Sequence, residues 1–590
     1  MKYRAEIDGL RALAVVPVIL FHGGFGAFRG GYIGVDVFFV ISGYLITTLL
    51  LEDLQNNRFS IKRFYERRAR RILPALFLVM LVCIPFAWHW MLPDPLENFG
   101  QSLIATVLFS NNILLTLTSG YWDLAAEFKP LLHTWSLGVE EQFYVFFPIL
   151  LAFIWYFTKK YLLAALLTLA IISVVQSEYL QNDYPNANFY LIFSRVWELL
   201  AGSIAALILR KKQLESNELL SFLGLFAIVS AIVLYDSNTP FPSLYSLAPV
   251  LGTVLLILYC RQETLIGSVL TIPMVVKIGM ISYSAYLWHQ PLLAFSKVYS
   301  KNEPTVLINS LLVFATFPIA YASWRYVETP FRNKRLVPLH YFLIFVSAAG
   351  AVIIAFGIAA YTTHGFTGRM KNDELSAQQL YISYNERNME FKRDDFAGNS
   401  QPKLLVVGDS FARDITNAVR ESYNIDTIEL LYRDDLNDCS VLETSLGKRL
   451  FDKADIVVFA SNYNSKKPTC IHGTINAARA TNTRVFYIGP KHFGFNLNWT
   501  IRVRSDQRQL LRNTLLTETI EQEAFAKSQV PEQNYISILD EISNEEGILI
   551  TDSFGRLISG DRTHLTKHGA ILVGDVVLRP SPLTAALERR

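Results

Sequence analysis

Lys403-Leu404-Leu405-Val406-Val407-Gly408-Asp409-Ser410 is an apolar run that stops on a glycine and delivers a serine. Read outward, it is a strand, a turn and the start of a helix. Strand-like runs at Lys403–Val407, Thr427–Tyr432, Asp455–Ala460, Arg484–Gly489 and Tyr535–Leu539 alternate with helical patterns near 411–421, 446–453, 472–481 and 506–528. A last helix is expected from Lys567 to Leu578. Such alternation predicts a parallel sheet with helices on both faces, a three-layer α/β domain over 403–590. Catalytic groups of such sheets gather beyond the carboxyl ends of the strands. Ser410, Asn462 and the segment Asp561-Arg562-Thr563-His564 all fall there. A serine at a strand-to-helix turn, with an Asp and a His three apart, supplies the nucleophile, base and orienting carboxylate of acyl chemistry. Gly-Asp-Ser alone is weak, because turns commonly use these residues. The weight lies in its combination with Ser461-Asn462-Tyr463 and Asp561-x-x-His564 at the right points of the strand order.

The rest of the chain is of another kind. At 590 residues it exceeds one ordinary domain. A mean hydropathy of +0.27 averages two regimes, long apolar runs over 1–361 and polar, charged sequence over 362–590. Apolar runs of spanning length lie at 10–28, 33–51, 72–92, 101–117, 141–158, 161–176, 190–209, 219–235, 244–260, 275–296, 305–324 and 340–361. The first has no small-residue cleavage pattern and is expected to be a retained helix. Arg58 to Arg71, Lys159-Lys160, Arg210-Lys211-Lys212 and Arg325 to Arg335 are basic loops and read as cytoplasmic, as do Lys2 and Arg4. Between the first two of these loops the chain must cross an even number of times, but three runs lie there. One, within 101–140, is therefore expected to be re-entrant or to lie along the surface. That leaves about eleven crossings, a cytoplasmic N-terminus and an external tail.

A net charge of +3 gives no reason to expect a nucleic-acid partner. Cys83 and Cys260 lie in apolar runs as small buried residues, whereas Cys439 and Cys470 flank one predicted strand of the tail. In an oxidising compartment the latter two could form a disulfide. No CxxC or His cluster suggests a metal.

Ionisable groups inside apolar runs are costly, and so are functional candidates. Arg11 and His22 are eleven helical residues apart, about 20° around the axis and about 16 Å along it, with Asp8 sharing much of that face. The bland reading is a snorkelling arginine and a satisfied core histidine. Arg67-Arg68-Ala69-Arg70-Arg71 is by itself an ordinary positive flank. Asp36 and Ser42-Gly43 sit in the second run, where small residues permit close helix contact or backbone approach to a ligand. Glu140-Glu141 at the mouth of a span needs cations or a cavity, and His289 and Glu328 complete the set.

Two resemblances follow. The tail, over about 185 residues, resembles the SGNH (GDSL-like) hydrolases. That likeness implies Ser410 as nucleophile, His564 as general base and Asp561 as its orienting partner, with the Ser410 amide and Asn462 as oxyanion donors. The chain departs from the pattern at Ala460-Ser461-Asn462-Tyr463, where Gly-x-Asn-Asp is usual. It departs again at Leu436 to Ser440, where the expected glycine, and with it the second oxyanion donor, is missing. Residues 1–335 resemble the acyltransferase family 3 of integral membrane acyltransferases. The resemblance rests on Arg11 and His22, Gly34-Val35-Asp36-Val37-Phe38-Phe39-Val40-Ile41-Ser42-Gly43, Arg68-x-x-Arg71, Trp135 to Tyr144 and Tyr286-Leu287-Trp288-His289. Segment 336–402 then reads as an added helix and linker.

The family likeness implies O-acetylation of a bacterial surface polysaccharide, O-antigen or lipopolysaccharide-like, at the inner membrane, with the tail periplasmic. It implies cytosolic acetyl-CoA as donor, bound through Arg11, Arg68 and Arg71, and His22 as base or transient acyl carrier. The acceptor would be a polysaccharide or lipid-linked oligosaccharide, in a chain otherwise surrounded by membrane lipid. Competing readings are a transporter, and an anchored esterase that removes acetyl groups with the same triad.

Overall fold

The computed structural model describes residues 3–118, 126–212, 214–369, 383–398, 400–461 and 470–588. The chain divides into two compact units. One comprises Met1–Trp88, Glu97–Lys297 and Pro304–Tyr361, and the other His89–Leu96, Val298–Glu303 and Thr362–Arg590.

The first unit is helical. In order it holds α1 (Ala5–His22), α2 (Gly34–Gln55), α3 (Ile61–Trp90), α4 (Pro93–Val107), α5 (Asn111–Thr118), α6 (Thr134–Thr158), α7 (Leu162–Leu180), α8 (Pro185–Tyr190) and α9 (Ile192–Lys211). There follow α10 (Glu218–Leu234), α11 (Leu247–Tyr259), α12 (Leu265–Leu270), α13 (Pro273–Met280), α14 (Ser282–Tyr299), α15 (Val306–Ser323), α16 (Thr329–Arg332) and α17 (Leu339–Thr362). Among the described residues, six stretches are long and apolar enough to cross a membrane: Gly31–Gln55, Ile61–Trp90, Thr134–Leu180, Pro185–Lys211, Val306–Arg332 and Leu339–Thr362. This is a multi-pass membrane protein. Six is fewer than the twelve runs of the sequence for identifiable reasons. α1 carries Glu6, Asp8 and Arg11 within its 18 residues. Glu218–Leu234 and Leu244–Tyr259 are apolar but shorter, and Thr134–Leu180 joins two runs.

Among the described residues, the run 101–117 falls on two short helices. α4 and α5, of 15 and 8 residues, reach about 22 and 12 Å, against about 30 Å of hydrocarbon. They are tied to α6 by polar contacts: Asn111 Nδ2 donates to Thr134 Oγ1 at 2.8 Å, and Gln142 Nε2 donates to Asn112 Oδ1 at 2.8 Å. Helices α2 and α9 pack closely. A Cβ at Gly43 would stand 1.8 Å from the Leu199 carbonyl oxygen, and one at Gly202 would stand 1.9 Å from that of Val40. Gly43 therefore serves backbone contact between helices, which fixes the depth of Ser42 on one helix and of Arg195 on the other.

The second unit is built on a five-stranded parallel sheet of order β2-β1-β3-β4-β6, from β1 (Lys403–Gly408), β2 (Glu429–Arg433), β3 (Ile456–Ala460), β4 (Arg484–Ile488) and β6 (Tyr535–Ile536). Leu405 pairs with Leu431 on one side and with Val457 on the other. Because strand side chains alternate, the sheet splits the core in two. Leu404, Val406, Val458 and Ile488 meet the helix α19 (Ser410–Ser422) and Lys567–Val573. Leu405, Val407, Val457 and Tyr487 meet the helices Ser445–Lys453 and Ile471–Thr481. Between α17 and the sheet, α18 (Ser383–Glu386) belongs to this unit.

Two details differ from the sequence reading. The fifth strand is only Tyr535–Ile536, because Leu539–Ile542 turns into a helix. The helix expected over 506–528 begins at Thr517. Ahead of it, β5 (Arg512–Asn513) joins β7 (Ser543–Asn544) and β8 (Gly547–Leu549) in a small antiparallel sheet. Buried Asn513 holds that stretch extended by donating to the carbonyls of Phe493 and Asn496, both at 3.0 Å. Segments 89–96 and 298–303 are integral to this unit. Asn496 Nδ2 donates to the Val298 and Ser300 carbonyls, each at 2.7 Å, and Leu92 N donates to Asn498 Oδ1 at 2.8 Å.

Candidate functional site

At the carboxyl edge of the sheet, β1 ends on Gly408 at φ +151°, where a Cβ would lie 1.9 Å from the Ala460 carbonyl oxygen of β3. Only glycine fits, and the chain turns directly into α19. Asp409 caps that helix, its Oδ1 accepting from Phe411 N at 2.9 Å, so Ser410 is its first residue. His564 Nε2 lies 2.8 Å from Ser410 Oγ, and His564 Nδ1 lies 2.5 Å from Asp561 Oδ2. Asp561 Oδ1 accepts from Thr563 N at 2.9 Å and His564 N at 2.8 Å. Burial alone would raise the Asp561 pKa, but the adjacent His564 and these two amides outweigh it and hold the carboxyl well below the usual range. A carboxylate on Nδ1 leaves Nε2 as the lone pair facing the serine. That tautomer lets Ser410 lose its proton as it attacks a carbonyl.

The turn carrying this pair is strained. Arg562 stands at φ +92°, held by Arg562 N to Ser559 Oγ at 3.1 Å and Arg562 Nη1 to the Phe495 carbonyl at 3.0 Å. Beside it, His492 is lowered to about 4 by burial and by the Arg562 cation. The Ser410 amide sits at the N-terminus of α19, where the helix dipole favours an anion. Asn462 lies outside the described residues; β3 ends at Ala460, and Ser461 follows it. The Leu436–Ser440 segment is a turn capped by its own Asn437, whose Oδ1 accepts from Cys439 N at 2.9 Å and Ser440 N at 2.8 Å. Cys439 and Cys470 form a disulfide.

The helical unit has its own polar centre. His22 closes α1, and its Nδ1 lies 3.0 Å from the Val18 carbonyl and 3.2 Å from His289 Nε2. His289 Nδ1 lies 2.6 Å from the Tyr286 carbonyl. One tautomer set satisfies all three contacts: each Nδ1 carries hydrogen, so His22 Nε2 keeps a lone pair. His133 joins them, its ring centroid 5.4 Å from that of His289.

Two cavities flank this centre. One, about 100 Å³, is lined by Arg11, Ser42, Arg68, Arg71 and Glu140. Arg68 lies over the Tyr144 ring at 4.8 Å, and the Tyr144 hydroxyl bonds Ser42 Oγ. The other, about 330 Å³, is lined by His22, His133, Arg195 and aromatic rings. Val35 and Tyr286 line both. The Tyr286 hydroxyl sits between them, donating to the His133 carbonyl at 2.9 Å with Ser136 Oγ at 2.7 Å.

Of the membrane residues singled out by sequence, Arg11, Arg68, Arg71, Ser42 and Glu140 share the first cavity, and His22 and His289 meet. Asp8 does not line that cavity but pairs with its Arg11 at 3.3 Å and accepts from the Tyr3 hydroxyl at 2.8 Å. Glu141 is not among the residues lining either cavity. Asp36 turns to Arg195 at 3.1 Å, and Arg195 also holds Glu198 at 3.0 Å, all three fully buried. Sequence reading passed over Arg195 and Glu198, although two charges three residues apart inside the run 190–209 were a usable signal. Glu328, on a π-helical turn at Trp324–Glu328, accepts from Ser284 Oγ at 2.8 Å and from Arg332.

These features define a multi-pass membrane protein with a buried histidine centre and a separate α/β unit bearing a serine–histidine–aspartate series. Residues 4–325 match the family described as "Acyltransferase domain", and the chain belongs to it. It is 32% identical over 354 residues to the peptidoglycan O-acetyltransferase OatA of Listeria monocytogenes, covering 57% of each chain. It is 31% identical over 506 residues to the putative peptidoglycan O-acetyltransferase YrhL of Bacillus subtilis, covering 72% of this chain and 79% of that one. A putative O-acetyltransferase of Staphylococcus aureus, SAS0844, is 29% identical over 369 residues, covering 58% and 59%. The first and third matches thus span under two thirds of those relatives' length. No solved structure matches the chain.

Proposed function

We propose that the protein O-acetylates a cell-surface polysaccharide, taking acetyl from cytosolic acetyl-CoA and delivering it across the membrane. The observation that carries this reading is the Ser410–His564–Asp561 series in a chain of a membrane acyltransferase family. The relatives named for peptidoglycan favour a peptidoglycan acceptor over an O-antigen or lipopolysaccharide. Eleven helices cross, namely α1, α2, α3, α6, α7, α9, α10, α11, α13 with α14, α15 and α17, while α4 and α5 dip in and return. The basic loops are cytoplasmic, so the second unit is outside the inner membrane.

The donor's phosphates meet Arg11, Arg68 and Arg71, whose guanidinium groups suit phosphate oxygens. The pantetheine arm enters the first cavity and presents the thioester towards the histidine centre. His22 Nε2 attacks the thioester carbonyl, the carbonyl–sulfur bond breaks, and the proton shed by the acetylated imidazole goes to the sulfur so that CoA leaves as the thiol. As a base instead, His22 takes the proton of an attacking acceptor hydroxyl and relays it to the sulfur. Outside, Ser410 Oγ attacks the acetyl carbonyl and gives its proton to His564, which passes that proton to the group that carried the acetyl as its bond to the carbonyl breaks. The sugar hydroxyl then attacks the acyl-serine carbonyl as His564 takes its proton, and the Oγ–acyl bond breaks with that proton returned to Ser410. The Ser410 amide and Asn462 hold the oxyanion.

The test is purified protein in liposomes with radiolabelled acetyl-CoA inside and a glycan outside, either peptidoglycan fragments or lipopolysaccharide. Label on the glycan, lost in Ser410→Ala and in His22→Ala, is expected. Full-rate labelling by Ser410→Ala excludes the acyl-serine, and by His22→Ala the membrane centre. Release of free acetate at the same rate with and without glycan marks an esterase instead.

A further inference from the structure

Lys491 has no part in the proton path from Ser410 to Asp561, yet its ammonium is fully buried beside it. It follows Gly489-Pro490 at the end of β4. Its Nζ donates to Asp414 Oδ2 at 2.6 Å and to the Thr563 carbonyl, and stands 3.7 Å from the centre of the Phe411 ring. Asp414 lies one helical turn after Ser410 on α19, and its Oδ2 also accepts from Leu565 N at 3.1 Å. The ammonium and the carboxylate thus clasp the residues on either side of His564 and fasten them to the nucleophile's own helix.

We propose that Lys491 and Asp414 are positioning residues that set the His564–Ser410 distance. The proposal rests on Ser410 being the nucleophile. The turn it fixes is otherwise awkward to hold, because Arg562 stands at a positive φ between Asp561 and Thr563. Nothing in a parallel sheet with helices on both faces requires an ion pair here, and apolar side chains of similar volume would fill the space. What apolar side chains cannot do is take hydrogen bonds from Leu565 N and give one to the Thr563 carbonyl. Without those bonds the turn keeps its packing and loses its register against α19. A displacement of about 1 Å at reacting atoms costs on the order of 100-fold in rate.

The experiment uses full-length protein in detergent and hydrolysis of an aryl acetate. Replacing one partner strands a buried charge and risks unfolding, so the informative variant is the double Lys491→Met/Asp414→Leu, with Asp414→Glu as the conservative control. Thermal unfolding near the wild-type midpoint verifies the fold. The expected result is kcat lowered about 100-fold with KM within about twofold, and labelling of Ser410 by a fluorophosphonate slowed in parallel. Asp414→Glu, which keeps the pair, recovers most of kcat. A double variant that folds and keeps kcat within threefold overturns the proposal, as does an equal loss in Asp414→Glu with an unchanged labelling rate. Ser410→Ala separates the two readings: if it still hydrolyses the ester, the nucleophile assignment is at fault rather than the clasp.

Discussion

Replacing Asp561 by Asn tests the triad most directly, because the surrounding hydrogen bonds dictate how the amide must lie. Asp561 Oδ1 accepts from Thr563 N, His564 N and Thr563 Oγ1 at 2.9, 2.8 and 3.2 Å. In Asp561→Asn those donors require the carbonyl oxygen at that place. The NH2 is then driven to the Oδ2 position, 2.5 Å from His564 Nδ1. Two donors cannot face each other, so Nδ1 gives up its hydrogen and Nε2 acquires one. His564 then points N–H at Ser410 Oγ, 2.8 Å away, and cannot take its proton. In serine enzymes this tautomer error costs about 10⁴ in kcat, or roughly 5 kcal/mol of barrier. The assay is aryl acetate hydrolysis by full-length protein, with fluorophosphonate labelling of Ser410 as a second readout. A loss of kcat below about tenfold in a folded variant would refute the assignment of His564 as base.

Three further outcomes are expected. Arg68→Ala and Arg71→Ala should each raise KM for acetyl-CoA by about 10- to 100-fold in liposomes while leaving aryl acetate hydrolysis unchanged, a charge-assisted contact contributing about 1.5–3 kcal/mol; an unaltered KM removes these arginines from donor binding. His492, lowered to about 4 in the fold against an unfolded value near 6.5, makes the unfolded chain the better proton binder between those values, so stability falls as pH drops through that window. His492→Gln should therefore flatten the decline by up to about 3 kcal/mol, read as thermal midpoints from pH 7 to pH 4; parallel curves contradict the sign. Cys439→Ser/Cys470→Ser opens a loop of sequence separation 31 and should destabilise the second unit by about 3–4 kcal/mol, measured by unfolding with and without reductant.

The α/β unit was legible because its pattern is local. β1 and the three strands after it fall within a few residues of their apolar runs, and Gly408-Asp409-Ser410 marks a turn that only a glycine permits. What escaped was set by side chains acting at a distance. Asn513 holds β5 extended through contacts to Phe493 and Asn496, so a helical pattern begins later than its periodicity suggests. In the membrane unit, hydropathy located the helices but not their partners. Asp36 looked like a companion of Ser42, six residues on. A helix turns them to different faces, and Asp36 meets Arg195, 159 positions away in sequence. Lys491 gave no signal at all, since a lone lysine after Gly489-Pro490 reads as an exposed loop.

Asn496 and Asn498 carry a further consequence. Their amides are spent on backbone from Val298, Ser300 and Leu92, so the α/β unit is sewn from three separate stretches of polypeptide. A soluble fragment cut after α17 would leave those amides buried and idle, and Leu92 would be missing from the apolar core it helps to fill. Such a unit could not be transplanted onto another membrane protein by simple end-to-end fusion.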